Sequence, residues 1–131
     1  MTQKSILSSS ELVAFVPTKD PAKARAFYEG VLGLHLVSDD QPFAIVFDAN
    51  GTMLRVTTVK EHQPAPFTVL GWHVKSIEHT VSELSAAGIS FQRYSGLNDE
   101  SPHGIWTAPS GARIAWFKDP DGNVLSVTQF G

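Results

Sequence analysis

Residues 44–57, AIVFDANGTMLRVT, return in the second half of the chain as residues 115–128, AWFKDPDGNVLSVT. Laid over each other without a gap, the stretches share Ala44/Ala115, Asp48/Asp119, Gly51/Gly122, Leu54/Leu125, Val56/Val127 and Thr57/Thr128, and Asn50 meets Asp121. Each reads as a strand, an Asn-Gly or Asp-Gly turn and a second strand, a strong short-range signal for a β-hairpin. A repeat of this length makes the chain two copies of one supersecondary unit.

The segments upstream extend the repeat. Residues 12–16 are rich enough in β-branched and aromatic side chains for a strand. Asp20-Pro21 then signals a helix start, with a side-chain acceptor for the free N–H groups and a proline where its missing N–H costs nothing. Ala24, Phe27, Tyr28, Val31 and Leu32 recur with helical spacing on one face, and Gly33 closes the helix. In the second copy residues 69–74 read as strand, and Ile77, Val81, Leu84 and Ala87 form a helix face stopped by Gly88. Gly33-Leu34 and Gly88-Ile89 each open a return strand. The class expected is α+β: two β-α-β-β-β modules forming a curled mixed sheet around a cup. Module one spans about residues 11–62 and module two about residues 67–131 of a single domain, 1–131. Pro64-Ala65-Pro66 makes a stiff joint between them. The polar excursion over residues 96–104 lacks a counterpart in module one and reads as a surface loop or a ligand edge.

Composition narrows the function. The chain has 131 residues, 42% hydrophobic and 18% charged, a net charge of −3 and no cysteine. Such a chain buries a real core without staples. Disulfides, thiolate metal sites and cysteine nucleophiles are excluded. The scattered Lys and Arg form no basic stripe, so no nucleic-acid partner is expected. No apolar run reaches the ~20 residues of a membrane span, and the start lacks a signal-peptide pattern, so a cytoplasmic protein without a membrane partner is expected. No G-x-S-x-G elbow, P-loop or G-x-G-x-x-G occurs.

Residues 16–34, with V-x-T-K-D-P-x-K-A-x-x-F-Y-x-x-V-L-G-L, and residues 116–125, W-F-K-D-P-D-G-N-V-L, together resemble the vicinal oxygen chelate superfamily. That group includes glyoxalase I, extradiol dioxygenases, fosfomycin-resistance proteins, methylmalonyl-CoA epimerase and bleomycin-resistance binding proteins. The resemblance runs from about Leu12 to Phe130. It implies paired modules around a cup, commonly in a homodimer with the cup built from both chains. In metal-using members it implies about four His, Gln or Glu ligands, from the first and last strand of each module. The matching positions here are Val13, Arg55, Val69 and Ser126. Gapless overlay of the repeats pairs Arg55 with Ser126 independently. None is a good ligand, and Arg55 carries a permanent positive charge. No metal and no cofactor are therefore expected.

Strand alternation assigns the cup its lining. Met53 and Thr57 flank Arg55, Val124 and Thr128 flank Ser126, Val13 and Phe15 share a face of the first strand, and Val69, Gly71 and His73 share one of the fifth. The ligand-binding candidates are Arg55, Phe15, Val13, Met53, Thr57, Val69, His73, Trp106 and Ser126. Trp72, Trp106 and Trp116 are all able to stack on a planar ligand. Arg55 either binds a carboxylate, phosphate or phenolate, or pairs with an acid of the sheet or a partner chain. The function expected is metal-free binding of an aromatic or anionic small molecule, as in the bleomycin-resistance group, although an arginine argues against that group's cationic drugs. A lyase, isomerase or dioxygenase with unusual ligands and a non-catalytic dimeric regulatory domain are the alternatives.

Overall fold

A computed structural model describes residues 6–131; residues 1–5, part of the start read above, lie outside it. Two four-stranded mixed sheets carry the fold, one for each repeat, and they do not close on each other. Sheet A has the order β1-β4-β3-β2, from β1 (Val13–Thr18), β2 (His35–Asp40), β3 (Ala44–Ala49) and β4 (Thr52–Thr58). Sheet B has the order β5-β8-β7-β6, from β5 (Thr68–His73), β6 (Trp106–Thr107), β7 (Arg113–Lys118) and β8 (Val124–Gln129). In each sheet the first strand runs parallel to the last and the remaining pairs are antiparallel. The α+β class and the two-module pattern are as the repeat implies.

The helices start where their capping residues stand. Asp20 accepts from the Lys23 N–H at 3.2 Å and Pro21 opens α1 (Pro21–Arg25). The winding then loosens into a π-helical segment, Ala26–Val31, whose end is marked by Leu32 N–H donating to the Phe27 carbonyl five residues back, at 3.0 Å. Ala24, Phe27 and Tyr28 are buried there, with Val31 and Leu32 packed against them. Ser76 caps α2 (Ile77–Ala86), which buries Ile77 and Val81 and lays Leu84 on the core. Ala87 lies past the helix end and is exposed.

The modules share one core. Val16, Ile45, Phe47, Leu54 and Val56 from sheet A cluster with Ala115, Phe117, Leu125 and Val127 from sheet B and with the helix residues. Phe27, on the helix that covers β3 and β4, also meets Phe117 of β7 at 6.5 Å between ring centroids. Leu70 and Trp72 of β5 meet Ala14 and Leu54 of sheet A around a 220 Å³ cavity. One face of each sheet therefore contributes to this cluster, with the helices packed among them, and strand alternation turns the other face of each sheet outward.

Polar bonds tie module one to the β7–β8 turn. Tyr28 OH donates to Asp119 Oδ2 at 2.7 Å, and Asp119 also accepts from Asn123 Nδ2, Asn123 N and Asp121 N. Thr18 and the Lys19 N–H donate to Asp121, and Asn123 Nδ2 donates to the Pro17 carbonyl. Burial and, next, the neighbouring Asp119 carboxylate hold the Tyr28 phenol far above its ordinary range, so it stays a donor.

Two expectations need correction. The gapless repeat holds for β4 and β8 but slips by one residue in the preceding strands. Asp48 pairs with Met53 around four intervening residues, Lys118 with Val124 around five. Ala44 thus faces outward beside Thr57, while Ala115 faces the core beside Val127, and their identity is coincidental. The cause is turn chemistry. Asn50 (φ 51°) and Gly51 (φ 97°) make a two-residue turn with both central φ positive, whereas the second turn is a longer loop organised by the Asp119 carboxylate.

The return strand expected at Gly88-Ile89 does not form; module two's edge strand is β6, only Trp106–Thr107. The chain touches β7 once through Gln92 N–H to the Trp116 carbonyl, 2.7 Å, leaves, and returns at Trp106. Asn98, 2% exposed, holds the excursion between these points. Its Oδ1 accepts from Tyr94 N at 2.7 Å, and its Nδ2 donates to the Gln92 and Gly104 carbonyls at 2.9 and 2.7 Å. The Arg93 guanidinium donates to the carbonyls of Asn98, Ser101 and Pro102. Side chains thus satisfy backbone groups that a ladder would otherwise pair.

Candidate functional site

The candidate residues fall on the two outward faces. On sheet A, Val13 and Phe15 of β1 lie beside Met53, Arg55 and Thr57 of β4, with Phe15 opposite Arg55 in register. On its other side Arg55 pairs with Val46 of β3, which is buried. Phe15 is 63% exposed and Met53 41%, so an apolar rim stands open around a half-buried guanidinium. Among the described residues no carboxylate oxygen lies within 4.0 Å of Arg55; the ion pairs found are Arg25 with Glu29 and Asp39, His79 with Glu83, and Arg113 with Glu78. Among the described residues, then, no internal acid pairs with it. Next to Met53, at the turn end of the same face, lies a hollow of 350 Å³ that His35 and Asp48 also line.

On sheet B, Gly71 and His73 of β5 lie opposite Ser126 and Thr128 of β8 on the outward face, while Val69, exposed, falls at a register shift between Thr68 and Leu70 and has no partner on β8. Ser126 is 7% exposed. A Cβ at Gly71 would stand 2.7 Å from Ser126 Oγ, so the glycine keeps this row flat where module one raises Phe15 beside Arg55. His73 is exposed and meets the Phe130 ring at 5.0 Å. Trp106 faces the same way, since it pairs with Ile114, two residues from Trp116, itself opposite Ser126. The indoles lie 6.1 Å apart at 30°, and Tyr94 abuts Trp116 edge-on at 5.4 Å. Trp72 alternates to the core side.

None of the strand pairings, hydrogen bonds or ring contacts described above joins the sheet A group to the sheet B group. Tyr94 is the residue that sequence reasoning left out of the site, and Trp116, named there only as able to stack, joins Trp106 on this face. Strand parity sets Trp116 on the outward face, as it alternates with the buried Ala115 and Phe117. The gapless overlay obscured this by equating it with core residue Ile45. Tyr94 reaches the face only through the Asn98-held excursion, for which no local pattern exists.

The positions implied for a metal fit one poorly. Val13 and Val69 offer no donor atom, Arg55 is cationic, and Ser126 contributes only a hydroxyl. Taking the residues directly opposite Arg55 and Ser126 instead gives Phe15 and Gly71, which have no donors either. Among the described residues no group of three or more His, Asp or Glu is placed to hold an ion. Nor is any helix among them long and apolar enough to cross a membrane.

Comparison with known proteins follows the same lines. The sequence model of the Glyoxalase/Bleomycin resistance protein/Dioxygenase superfamily matches residues 11–127. The structure is similar to that of a lactoylglutathione lyase from Agrobacterium tumefaciens, at 17% identity over 95% of this chain and 96% of that one, with a TM-score of 0.73. It is similar to a glyoxalase/bleomycin resistance protein/dioxygenase superfamily member from Sphaerobacter thermophilus, at 22% identity over 95% and 99%, with a TM-score of 0.73. A third, a putative glyoxalase family protein from Bacillus anthracis, has 17% identity over 99% and 100%, with a TM-score of 0.72. At these identities the structures establish the fold. No curated protein matches the sequence.

Proposed function

Because the chain belongs to the Glyoxalase/Bleomycin resistance protein/Dioxygenase superfamily, and Val13, Arg55, Val69 and Ser126 stand where its metal-using members are expected to hold ligands, we propose that it is a metal-independent small-molecule-binding protein for an anionic or aromatic ligand. The observation that carries this reading is Arg55: half-buried, without a carboxylate partner among the described residues, and bordered by Phe15, Met53 and Val46. A guanidinium in such surroundings favours a bidentate, charge-assisted contact with a carboxylate or phosphate, while the apolar rim favours the ligand's body. Thr57 is the hydroxyl next along the strand.

The partner in this proposal is a second copy of the chain. Val13, Phe15 and Met53 on one sheet and Val69 on the other are exposed apolar residues beside the edge strands β1 and β5. Unpaired edges and apolar rows of this kind favour association. A homodimer that set the Arg55 face of one copy against the Trp106, His73 and Ser126 face of the other would complete a cup that one chain leaves in halves. The cytoplasm is the proposed compartment.

The test joins three measurements. Protein purified without chelator and incubated with divalent Ni, Zn, Mn or Fe is expected to retain far less than one equivalent of metal. Anionic aromatic compounds are expected to raise the melting temperature, as any ligand selective for the native state does. Arg55→Ala should weaken their binding by about 1.5–3 kcal/mol, the worth of a charged hydrogen bond. Stoichiometric metal, or affinity untouched by Arg55→Ala, would overturn the proposal. Sedimentation equilibrium showing only monomer would overturn the dimer.

A further inference from the structure

We propose that Asn50 is a spontaneous modification site: it cyclises with the Gly51 nitrogen and hydrolyses to aspartate or isoaspartate, and Asp48 sets the pace by holding the Gly51 amide. The chain has three asparagines, Asn50, Asn98 and Asn123. Asn98 and Asn123 are buried, and their side-chain nitrogens are occupied. Asn98 donates to the Gln92 and Gly104 carbonyls, Asn123 to the Pro17 carbonyl and Asp119. Asn50 is exposed, and among the described residues nothing bonds its side-chain amide. It is also the asparagine followed by glycine, so the attacking nitrogen carries no side chain beside it to hinder approach.

The reaction balances with water alone. The Gly51 nitrogen loses its proton to solvent, and its electron pair forms a bond to Asn50 Cγ. The bond from Cγ to Nδ2 breaks and that nitrogen leaves as ammonia, giving a cyclic imide. Water then opens the ring. Attack at Cγ leaves aspartate in an ordinary backbone, whereas attack at the main-chain carbonyl carbon routes the backbone through Cγ and leaves isoaspartate.

The fold opposes the first step. Asn50 (φ 51°) and Gly51 (φ 97°) are fixed at the centre of a turn closed by the Ala49–Thr52 pair, and the Gly51 N–H donates to Asp48 Oδ1 at 2.9 Å. While that bond stands, the nitrogen keeps its proton, because an anionic nitrogen beside a carboxylate is disfavoured. Ring closure therefore proceeds from a locally opened turn. Module two is protected differently: Asp121 precedes Gly122, but its carboxylate accepts from Thr18 and Lys19 and has no ammonia to lose. The product alters the turn end of sheet A. Gly51 and Asp48 line the same hollow as His35 and Met53, where a new carboxylate adds negative charge. Isoaspartate also lengthens a turn built for two residues of positive φ. None of this depends on what Arg55 binds.

The full chain, Asp48→Ala and Asn50→Ser are incubated folded in mildly alkaline buffer, beside the wild-type chain unfolded in guanidinium chloride. Trypsin cleavage after Arg25 and Arg55 releases residues 26–55, in which Asn50 is the single asparagine. Mass spectrometry follows the conversion of amide to acid, fragmentation separates isoaspartate from aspartate, and released ammonia is assayed in parallel. A hydrogen bond to a carboxylate changes the population of the opened turn about tenfold. Asp48→Ala should therefore convert about tenfold faster than the folded wild type and approach the unfolded chain, while Asn50→Ser should not convert. Amide exchange at Gly51 should quicken in Asp48→Ala while Phe47 and Leu54 stay protected, which separates local release from unfolding. Equal rates in Asp48→Ala and wild type, a folded wild type as fast as the unfolded chain, or conversion at Asn98 or Asn123 ahead of Asn50 would each overturn the proposal.

Discussion

Replacing Tyr28 by Phe tests whether the modules are held together as described. The phenol is fully buried and gives Asp119 Oδ2 one of its two donors, the other being Asn123 Nδ2. The Asp119 Oδ1 bonds to the Asp121 and Asn123 amides do not involve Tyr28. The ring itself would keep its edge-on contact with Phe27 at 5.1 Å and its contact with Phe47 at 6.0 Å, so no large cavity opens. What disappears is a hydrogen bond to a buried carboxylate, worth about 1.5–3 kcal/mol, with Asp119 too sheltered for bulk water to replace it fully. Urea unfolding followed by circular dichroism at neutral pH should show a loss of about 2 kcal/mol, a large part of a typical total of roughly 5–15 kcal/mol.

The same substitution has a signature in alkali that a packing defect would not produce. The folded phenol titrates far above its ordinary range, so the folded state keeps a proton that the unfolded chain loses from about pH 10. A pKa raised by folding contributes stability that is intact below the unfolded value and is lost as pH rises towards the folded value. Tyr28 should therefore remove about 1.4 kcal/mol of stability per pH unit above about pH 10. Tyr28→Phe should lack that component, so the two unfolding curves converge in alkali. Lysines titrate in both proteins and cancel in the difference. Parallel curves across this range, or an unchanged midpoint at neutral pH, would refute the bond to Asp119 as a fastening between modules.

Further outcomes follow from other contacts. Asn98→Ala removes three hydrogen bonds of a buried side chain and should cost about 3 kcal/mol, with limited proteolysis newly cutting within residues 93–104. Gly122→Ala should cost about 1–3 kcal/mol by denaturant titration, because φ there is +84° and the new methyl displaces Pro64. Asp121→Ala frees the Thr18 hydroxyl and the Lys19 amide together. Faster hydrogen exchange at Lys19 and the start of α1 is its expected mark.

What the sequence revealed was local or periodic. Asp20-Pro21 and the row Ala24, Phe27, Tyr28 located α1 because capping and helical spacing act within a few residues. Asn50-Gly51 located a hairpin because that pair tolerates positive φ at both positions. The family pattern was legible for the same reason, being written in a helix face and a turn. The one-residue slip in the second hairpin escaped because identical letters at Ala44 and Ala115 carry no sign of which face they occupy. The fastening of Tyr28 to Asp119 joins residues far apart in sequence, and nothing near either announces the other. Asn98 was hidden in a polar stretch where a solvated side chain is the ordinary expectation. The sharing of one core by both modules depends on how they dock, which no strand pattern encodes.

The charge at Arg55 decides between the functions open to this fold more sharply than the absence of familiar ligands does. At 4 Å and an effective dielectric of about 20, a guanidinium repels a divalent ion by roughly 8 kcal/mol and attracts a monoanion by roughly 4 kcal/mol, before screening by solvent. Screening reduces both figures on a half-exposed face without reversing either sign. Neutralising the residue therefore tests more than one contact. Arg55→Gln should weaken an anionic ligand and remove the repulsion, yet it should not create a metal site, since Val13 and Val69 still present no donor and Ser126 only a hydroxyl. Calorimetric titration of that variant with Zn or Ni, showing no site near the outward faces, would separate loss of charge from gain of coordination. A metal site created by the glutamine alone would mean that other donors lie within reach of this position, and the reading of sheet A as an anion-accepting face would fall.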